Sequence, residues 1–242
     1  MFTHETALPV PEGGLITAAA MSTASLPALA WCAFDAAAWQ AELHQRWQLP
    51  LPAGLQHAAV RRKAEYLASR WLVQQQLATL GHAGFVLGNA PDRSPCWPAG
   101  LQASLSHSHG CAVMAATSAP LCVGIDVEHI MCDATVQETA ELLMQPAERA
   151  LLAALPLPFA QAATLLFSLK ESLYKALWPQ LHQPMDFHQA TLTAVDPGRQ
   201  CASLRLTQRF SPDFTPHTPL QARFWLSPQR VITLLTHPLP QP

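Results

Sequence analysis

The same order of elements is predicted twice along the chain: a long amphipathic helix is followed by short strands. This repeat limits the possible folds more than any other feature. Helical periodicity covers 58–80, 137–155 and 160–178. Alternation of apolar and polar residues covers 101–107, 111–117, 121–128, 190–195, 202–206, 222–226 and 231–236. The repeat predicts an α+β fold with two pseudo-symmetric lobes, each an antiparallel sheet packed on helices.

The repeat also predicts where the chain divides. We place the junction near 118–124, which gives an N-terminal lobe over 26–121 and a C-terminal lobe over 122–242. The chain has 242 residues, of which 50% are hydrophobic, so each lobe can bury a core. Residues 1–25 are rich in Ala, Thr, Pro and Gly without apolar periodicity, so we expect a loose N-terminal leader, with Met21 as an alternative start.

Composition argues against several classes of function. The net charge is −2 and Lys plus Arg number 14, so the chain lacks the basic surface that binds nucleic acid. No apolar segment approaches the roughly 20 residues of a membrane helix, so we expect no membrane association. Six cysteines occur without a C-x-x-C pair, which disfavours a zinc ribbon or a disulfide framework and favours free thiols in a reducing cytoplasm.

Two acidic residues, Asp126 and Glu128, lie two apart in the predicted strand 121–128, so their side chains point to the same face. Like charges this close repel each other unless they are solvated, one is protonated, or a cation lies between them. A solvated surface pair is the commoner arrangement. By itself, the pair therefore leaves both an exposed surface pair and a metal site open.

A second group of charges lies in the helix 160–178. Glu171 and Lys175 are four residues apart and share one face, which alone indicates an ordinary surface ion pair. The neighbouring residues Phe167 and Leu173 are apolar, however. A few charges on a mostly apolar helix are common where a helix lines a cleft.

His107 is the last residue of a predicted strand and His109 lies in the turn after it, with Cys111 close behind. An H-x-H pair can bind zinc, but no other ligand stands at a zinc-like spacing. A Ser–His nucleophile would need an oxyanion hole and a third partner, and the chain has no G-x-S-x-G elbow. Hydrogen bonding in a polar turn is the simplest interpretation of both histidines.

Arg62, Tyr66 and Arg70 recur at a spacing of four in the helix 58–80, apart from its apolar stripe. This helix can pack against a core with one side and present two guanidinium groups with another. A local anion site is therefore compatible with the nearly neutral net charge.

Five motifs, taken in order, resemble those of the 4′-phosphopantetheinyl transferase family, in particular the bacterial subgroup that includes the enterobactin synthetase component D proteins. They are RRKAEYLASR at 61–70, RSPCWP at 93–98, ASLSHS at 103–108, GIDVE at 124–128 and FSLKESLYK at 167–175. Ser69 and Ala103 each stand where the family has glycine, and neither change removes a charged or ligating side chain. We therefore expect an active enzyme.

The resemblance implies a two-lobed monomer with coenzyme A bound between the lobes. It implies transfer of the 4′-phosphopantetheine group from coenzyme A to a serine of an apo acyl or peptidyl carrier protein, with adenosine 3′,5′-bisphosphate as the second product. Asp126, Glu128 and Glu171 are implied to hold Mg²⁺, a hard ion that three carboxylates suit. Asp126, Glu171 and Lys175 are the implied catalytic residues, and Glu171 accepts the serine proton directly or through a water.

The resemblance also implies a set of residues that bind coenzyme A. Lys170 and Lys175 contact the pyrophosphate, whereas the adenosine 3′-phosphate and neighbouring oxygens are bound by Arg62, Arg70, Arg93 and His107. Two alternatives stay open. One is a protein that binds coenzyme A or a carrier protein without catalysis, and the other is a different Mg²⁺-dependent nucleotide enzyme, such as a phosphohydrolase.

Overall fold

The computed structural model describes residues 2–240, and the chain divides into two units, Met1–Ala119 and Pro120–Pro242. Each unit has its own hydrophobic core of buried, mostly aliphatic side chains. Among the helices of residues 2–240, none is both long enough and apolar enough to cross a membrane.

The first unit is a five-stranded antiparallel sheet with one long helix on its face. Its elements are β1 (Thr6–Ala7), β2 (Ile16–Ser22), β3 (Ala28–Phe34), α1 (Glu42–Arg46), α2 (Val60–Thr79), β4 (Gly88–Asn89), β5 (Pro95–Cys96), β6 (Gln102–Ser108) and β7 (Cys111–Thr117). The strand order is β1-β2-β3-β7-β6, and β4 pairs separately with β5. α2 packs on β3 and β7, and the predicted stripe residues Ala64, Leu67 and Trp71 are buried.

The prediction of a loose leader over 1–25 is wrong, because β1 and β2 lie within it. β2 pairs with β3, with Met21 opposite Ala30, and Leu15 and Ile16 are almost fully buried. The sequence of β2, ITAAAMS, has little of the alternation that marks a half-buried strand. Pairing with a neighbouring strand, rather than a local pattern, therefore makes this segment part of the sheet.

The second unit is also an antiparallel sheet packed on helices. Its elements are β8 (Leu121–His129), α3 (Asp133–Leu143), α4 (Pro146–Ala153), α5 (Phe159–Leu181), β9 (Ala190–Asp196), β10 (Cys201–Leu206), β11 (Leu220–Leu226) and β12 (Arg230–Pro238). The strand order is β8-β12-β11-β10-β9, and α5 packs on β8 and β12. The predicted α+β class, with antiparallel sheets packed on helices, is confirmed.

One predicted helix, 137–155, is two helices in the structure, α3 and α4. Pro146 is the first residue of α4, a position where the missing N–H costs nothing. Gln145 caps this helix, because its side chain and that of Glu148 bond reciprocally to the backbone. The chain therefore leaves helical geometry at Met144 and begins a new helix at Pro146.

The two sheets share a local topology. In the first unit β3 precedes α2, and β7, the second strand of the hairpin that follows, returns to pair with β3. In the second unit β8 precedes α5, and β12, the second strand of the last hairpin, returns to pair with β8. Each long helix packs on the strand pair formed in this way. Side chains on the covered face of β8 therefore lie beneath α5.

Candidate active site

β8 and α5 pack so closely that β8 needs a glycine at the point of contact. A Cβ atom at Gly124 would lie 1.8 Å from the carbonyl oxygen of Ser172, so no larger residue fits without moving the helix. Asp126 follows two residues later on the same face of β8, and only 1% of it is exposed. The close packing therefore places the Asp126 carboxylate against α5.

Both carboxylate oxygens of Asp126 contact side chains of α5. Lys175 Nζ donates to Oδ1 at 2.5 Å, and Ser168 Oγ donates to Oδ2 at 2.8 Å. The Lys175 side chain is 26% exposed, whereas that of Asp126 is 2% exposed. The Lys175 ammonium group therefore pairs with a buried carboxylate and is still accessible from outside.

Glu171 belongs to the same charged group. It lies one turn before Lys175 on α5 and is half-buried. Burial raises the pKa of Glu171, the charge of Lys175 acts to lower it, and the charge of Asp126 raises it further. The structure thus brings together Asp126, Glu171 and Lys175, three of the residues predicted from the motifs.

Glu128 lies two residues beyond Asp126, near the end of β8, and is half-buried. Strand alternation directs both side chains to one face. Within residues 2–240, no three His, Cys, Asp or Glu side chains are grouped as closely as a metal ion requires. The chemistry of the donors fits Mg²⁺, however, because Asp126, Glu128 and Glu171 offer only carboxylate oxygens, the hard ligands that this ion prefers.

Lys170 precedes Glu171 on α5 but points into the core, where only 3% of the residue is exposed. Its Nζ donates at 2.9 Å to Glu148 Oε2 and to the carbonyl oxygen of Leu143. Glu148 is fully buried and also accepts from the backbone N–H of Leu192. The pair joins α4, α5 and β9, so the structure gives Lys170 a structural contact in place of the predicted contact with the pyrophosphate.

A pocket of about 180 Å³ opens beside the charged group in the second unit. α5 contributes Glu171, Leu173 and Tyr174 to its lining, and the segment after the helix contributes Met185 and Phe187. Most of the lining is apolar. The lining therefore combines apolar surface with the charged residues Glu171 and Asp186.

The first unit contains a second polar cluster, which joins α2 and β6. Arg62 Nη1 donates to His107 Nε2 at 3.1 Å, which makes Nε2 the acceptor and leaves the ring hydrogen on Nδ1. Glu65 Oε2 lies 3.5 Å from Arg62 Nη1 and 3.8 Å from His107 Nδ1. Since the Arg62 side chain is 52% exposed, the cluster can offer a guanidinium group to an anion from solution.

Arg70 is largely buried, with 8% of the residue exposed. Its guanidinium group lies over the Tyr66 ring, and Nη2 donates to Asn89 Oδ1 at 2.6 Å. Burial lowers the pKa of Arg70. Asn89 Nδ2 in turn donates to the carbonyl oxygen of Arg93, which has a φ of 70°. Arg70 therefore supports the β4–β5 hairpin that presents Arg93, a role that the sequence did not indicate.

Several residues of these clusters were missed from the sequence. Glu65 had a local signal, because it stands three and four residues after Arg62 and Arg61. Ser168 had a weaker signal, since it lies inside a motif that was noted for its charges. The contacts of Asn89 with Arg70 and of Glu148 with Lys170 had none, because these partners lie 19 and 22 residues away.

Two family models match the chain. The model described as "4'-phosphopantetheinyl transferase N-terminal domain" matches residues 51–117. The model described as "4'-phosphopantetheinyl transferase superfamily" matches residues 122–233. The matched regions include α2, β8 and α5, which carry most of the candidate residues.

Named proteins are similar to the chain over much of its length. Enterobactin synthase component D of Salmonella typhimurium is 35% identical over 204 residues, which cover 84% of this chain and 83% of that protein. The 4'-phosphopantetheinyl transferase PptT of Mycobacterium tuberculosis is 30% identical over 154 residues, 60% of this chain and 65% of that protein. By these matches and its five ordered motifs, the chain belongs to the 4′-phosphopantetheinyl transferase superfamily.

Proposed function

We propose that Asp126, Glu171 and Lys175 carry out the reaction of this superfamily, the transfer of 4′-phosphopantetheine from coenzyme A to a serine of an apo carrier protein. The observation that carries the proposal is the 2.5 Å contact between Lys175 and the buried Asp126, beside a glutamate whose pKa is raised. An acid with a perturbed pKa next to an accessible cation is typical of catalytic sites.

The proposed step is a displacement at phosphorus. The serine oxygen attacks the β-phosphorus of coenzyme A, the bond to the bridging oxygen breaks, and adenosine 3′,5′-bisphosphate leaves with that electron pair. Glu171 accepts the serine proton, directly or through a water, since a carboxylate with a raised pKa is the better base near neutral pH. Lys175 stabilises the negative charge of the pyrophosphate through its accessible ammonium group.

We assign Mg²⁺ to the carboxylates of Asp126, Glu128 and Glu171. When bound, this ion would neutralise negative charge on the pyrophosphate oxygens. The close packing at Gly124 supports the assignment, because it holds β8 and α5, which carry all three acids, at a fixed distance.

We assign the adenosine 3′-phosphate and neighbouring oxygens to Arg62, Arg93 and His107. Arg62 and His107 contact each other, and a guanidinium group forms charge-assisted hydrogen bonds with phosphate. Arg70 contributes to this phosphate site indirectly: it bonds to Asn89, which supports the β4–β5 hairpin that carries Arg93. The pocket beside Glu171 is assigned to the pantetheine arm, a chain of amide and methylene groups without charge.

Intact-mass spectrometry of an apo carrier protein tests the function. With coenzyme A and Mg²⁺, we expect the carrier to gain the mass of one phosphopantetheine group, on peptidyl or acyl carrier proteins or on both. A protein that only binds coenzyme A would leave the carrier mass unchanged. A phosphohydrolase would release the adenosine product without any carrier, and either outcome would overturn the proposal.

Two variants test the assigned residues. Glu171→Gln should lower kcat by about 10²–10⁴-fold, the usual contribution of a general base. Asp126→Ala should abolish transfer, and circular dichroism serves as the control that the fold is intact. Wild-type rates in either variant would remove that residue from the site.

We further propose that the chain acts as a monomer in the cytoplasm. All six cysteines are free thiols, a state that a reducing compartment maintains. Light scattering of the purified protein tests the oligomeric state, and a dimer would contradict the proposal.

A further inference from the structure

A chain of buried hydroxyl groups ends at the Asp126 carboxylate. Ser168 Oγ lies 2.8 Å from Asp126 Oδ2 and 2.9 Å from Thr233 Oγ1. Thr233 Oγ1 also lies 2.8 Å from the carbonyl oxygen of Ser168. Asp126 is 1% exposed, and Ser168 and Thr233 are fully buried, so water does not compete for these bonds.

The number of hydroxyl hydrogens limits which group can donate in each of these hydrogen bonds. An ionised Asp126 only accepts, so the single hydrogen of Ser168 is committed to Oδ2. The hydrogen of Thr233 then points to Ser168, toward its Oγ or its carbonyl oxygen. Thr233 is therefore the outer donor: its hydroxyl bonds either Ser168 Oγ or the Ser168 carbonyl oxygen, and in both cases it lies against the hydroxyl that donates to the carboxylate.

The position of Thr233 in the sheet makes this arrangement rigid. Thr233 is the direct partner of Asp126 in the antiparallel pairing of β12 with β8. Ser168 approaches both residues from α5, the helix that packs on these two strands. Three elements thus meet at one carboxylate, and its second oxygen, Oδ1, is turned toward Lys175.

We propose that Thr233 is a positioning residue for the reaction: through Ser168 it fixes the Asp126 carboxylate so that Oδ1 faces Lys175. The inference rests on the proposed role of Asp126. It adds the last strand of the chain to the functional site, 58 positions beyond Lys175 and outside the five motifs. Partners of this kind set the orientation of a ligand, and their loss usually costs 10–100-fold in metal affinity or activity.

Thr233→Val removes the hydroxyl group and keeps the shape of the side chain. We expect kcat to fall by about 10–100-fold, while KM for coenzyme A stays within about twofold because no residue assigned to its adenosine phosphate is touched. Affinity for Mn²⁺ alone, measured by electron paramagnetic resonance without coenzyme A, should fall as well. Thr233→Ser keeps the hydroxyl and should restore both quantities.

Thr164→Val is the matched control. Thr164 is a fully buried threonine one turn before Ser168 on α5, and its hydroxyl bonds to Ala160 O and Met131 N instead. It should match Thr233→Val in thermal stability but keep wild-type kcat and Mn²⁺ affinity. Equal kcat and equal Mn²⁺ affinity in the two valine variants would overturn the positioning role.

A double-mutant cycle separates this inference from the proposed function. If Thr233 acts through Ser168, Thr233→Val should have no further effect on kcat in a Ser168→Ala background, whereas independent effects would add. Should Thr233→Val fail to fold, Thr233→Cys replaces it, because a thiol is a weak donor of similar size. An active Asp126→Ala variant would defeat the proposed role of Asp126, while an inactive one with additive Thr233 and Ser168 effects would defeat only the inference.

Discussion

Lys170 and Lys175 lie on the same helix, and at about 100° per residue they point in directions roughly 140° apart. Lys170 Nζ is enclosed with Glu148, whereas Lys175 reaches the surface beside Asp126. Burial lowers the pKa of Lys170, and the hydrogen bond and charge of Glu148 oppose this. The two ammonium groups therefore have different proposed roles: that of Lys170 stabilises the core, and that of Lys175 takes part in the reaction.

Lys170→Met tests the structural role. Removing one partner leaves Glu148 buried and unpaired, so the free energy of unfolding should fall by about 3–5 kcal/mol, as measured by urea denaturation. Adding Glu148→Leu should recover part of the loss. Arg199→Met is the control, because the Arg199–Asp196 pair is exposed and its loss should cost no more than about 0.5 kcal/mol. Full stability in Lys170→Met, together with a raised KM for coenzyme A, would instead favour the phosphate contact predicted from the motif.

Among the elements, α5 and β8 determine the geometry of the proposed site. Their closest approach is at Gly124, where a Cβ atom would also lie 2.6 Å from the backbone nitrogen of Ala176. Backbone atoms cannot swing aside as the end of a side chain can. Any larger residue at Gly124 therefore moves the helix that carries Glu171 and Lys175 relative to the strand that carries Asp126.

Gly124→Ala should therefore affect both stability and catalysis. Overpacking of this kind costs about 1–3 kcal/mol, and a displacement on the order of 1 Å between catalytic groups can cost about 10²-fold in kcat. Gly198→Ala is the control, since a Cβ there would lie 3.4 Å from Asp196 Oδ1, an ordinary contact distance. A Gly124→Ala protein with wild-type kcat would show that the spacing of α5 and β8 does not govern the reaction.

At the scale of the whole molecule, binding of coenzyme A should stabilise the folded chain. A ligand that binds only the native state at about 100 times its Kd adds about 2.7 kcal/mol. The rise in Tm should be smaller with 3′-dephospho-coenzyme A, because that ligand lacks the phosphate assigned to Arg62 and His107. Differential scanning fluorimetry at matched ligand concentrations measures both shifts.

Arg62→Ala should remove most of the difference between the two ligands and raise KM for coenzyme A with little change in kcat. The exposed Arg46 on α1 provides the control, and Arg46→Ala should keep the wild-type difference. If Arg62→Ala binds both ligands as the wild type does, the cluster of Arg62, His107 and Glu65 is not the 3′-phosphate site.

The sequence by itself determined the α+β class, the two long helices and the residues on which the proposed chemistry depends. The fold class and the helices follow from periodicity within one element, whereas the candidate residues came from short motifs, as in Gly124–Glu128 and Phe167–Lys175, that resemble those of a known family. Both depend only on residues that are near each other in the chain.

Only the tertiary structure decided how the residues are partnered. Lys170 pairs with Glu148, which is 22 positions away in the sequence, and Ser168 pairs with Thr233, which is 65 positions away. No local sequence pattern can indicate pairs at such separations. The same reason explains β2, which is a strand because β3 lies beside it. A charged motif thus identifies the candidate groups, but burial and long-range pairing decide which of them face a substrate and which support the fold.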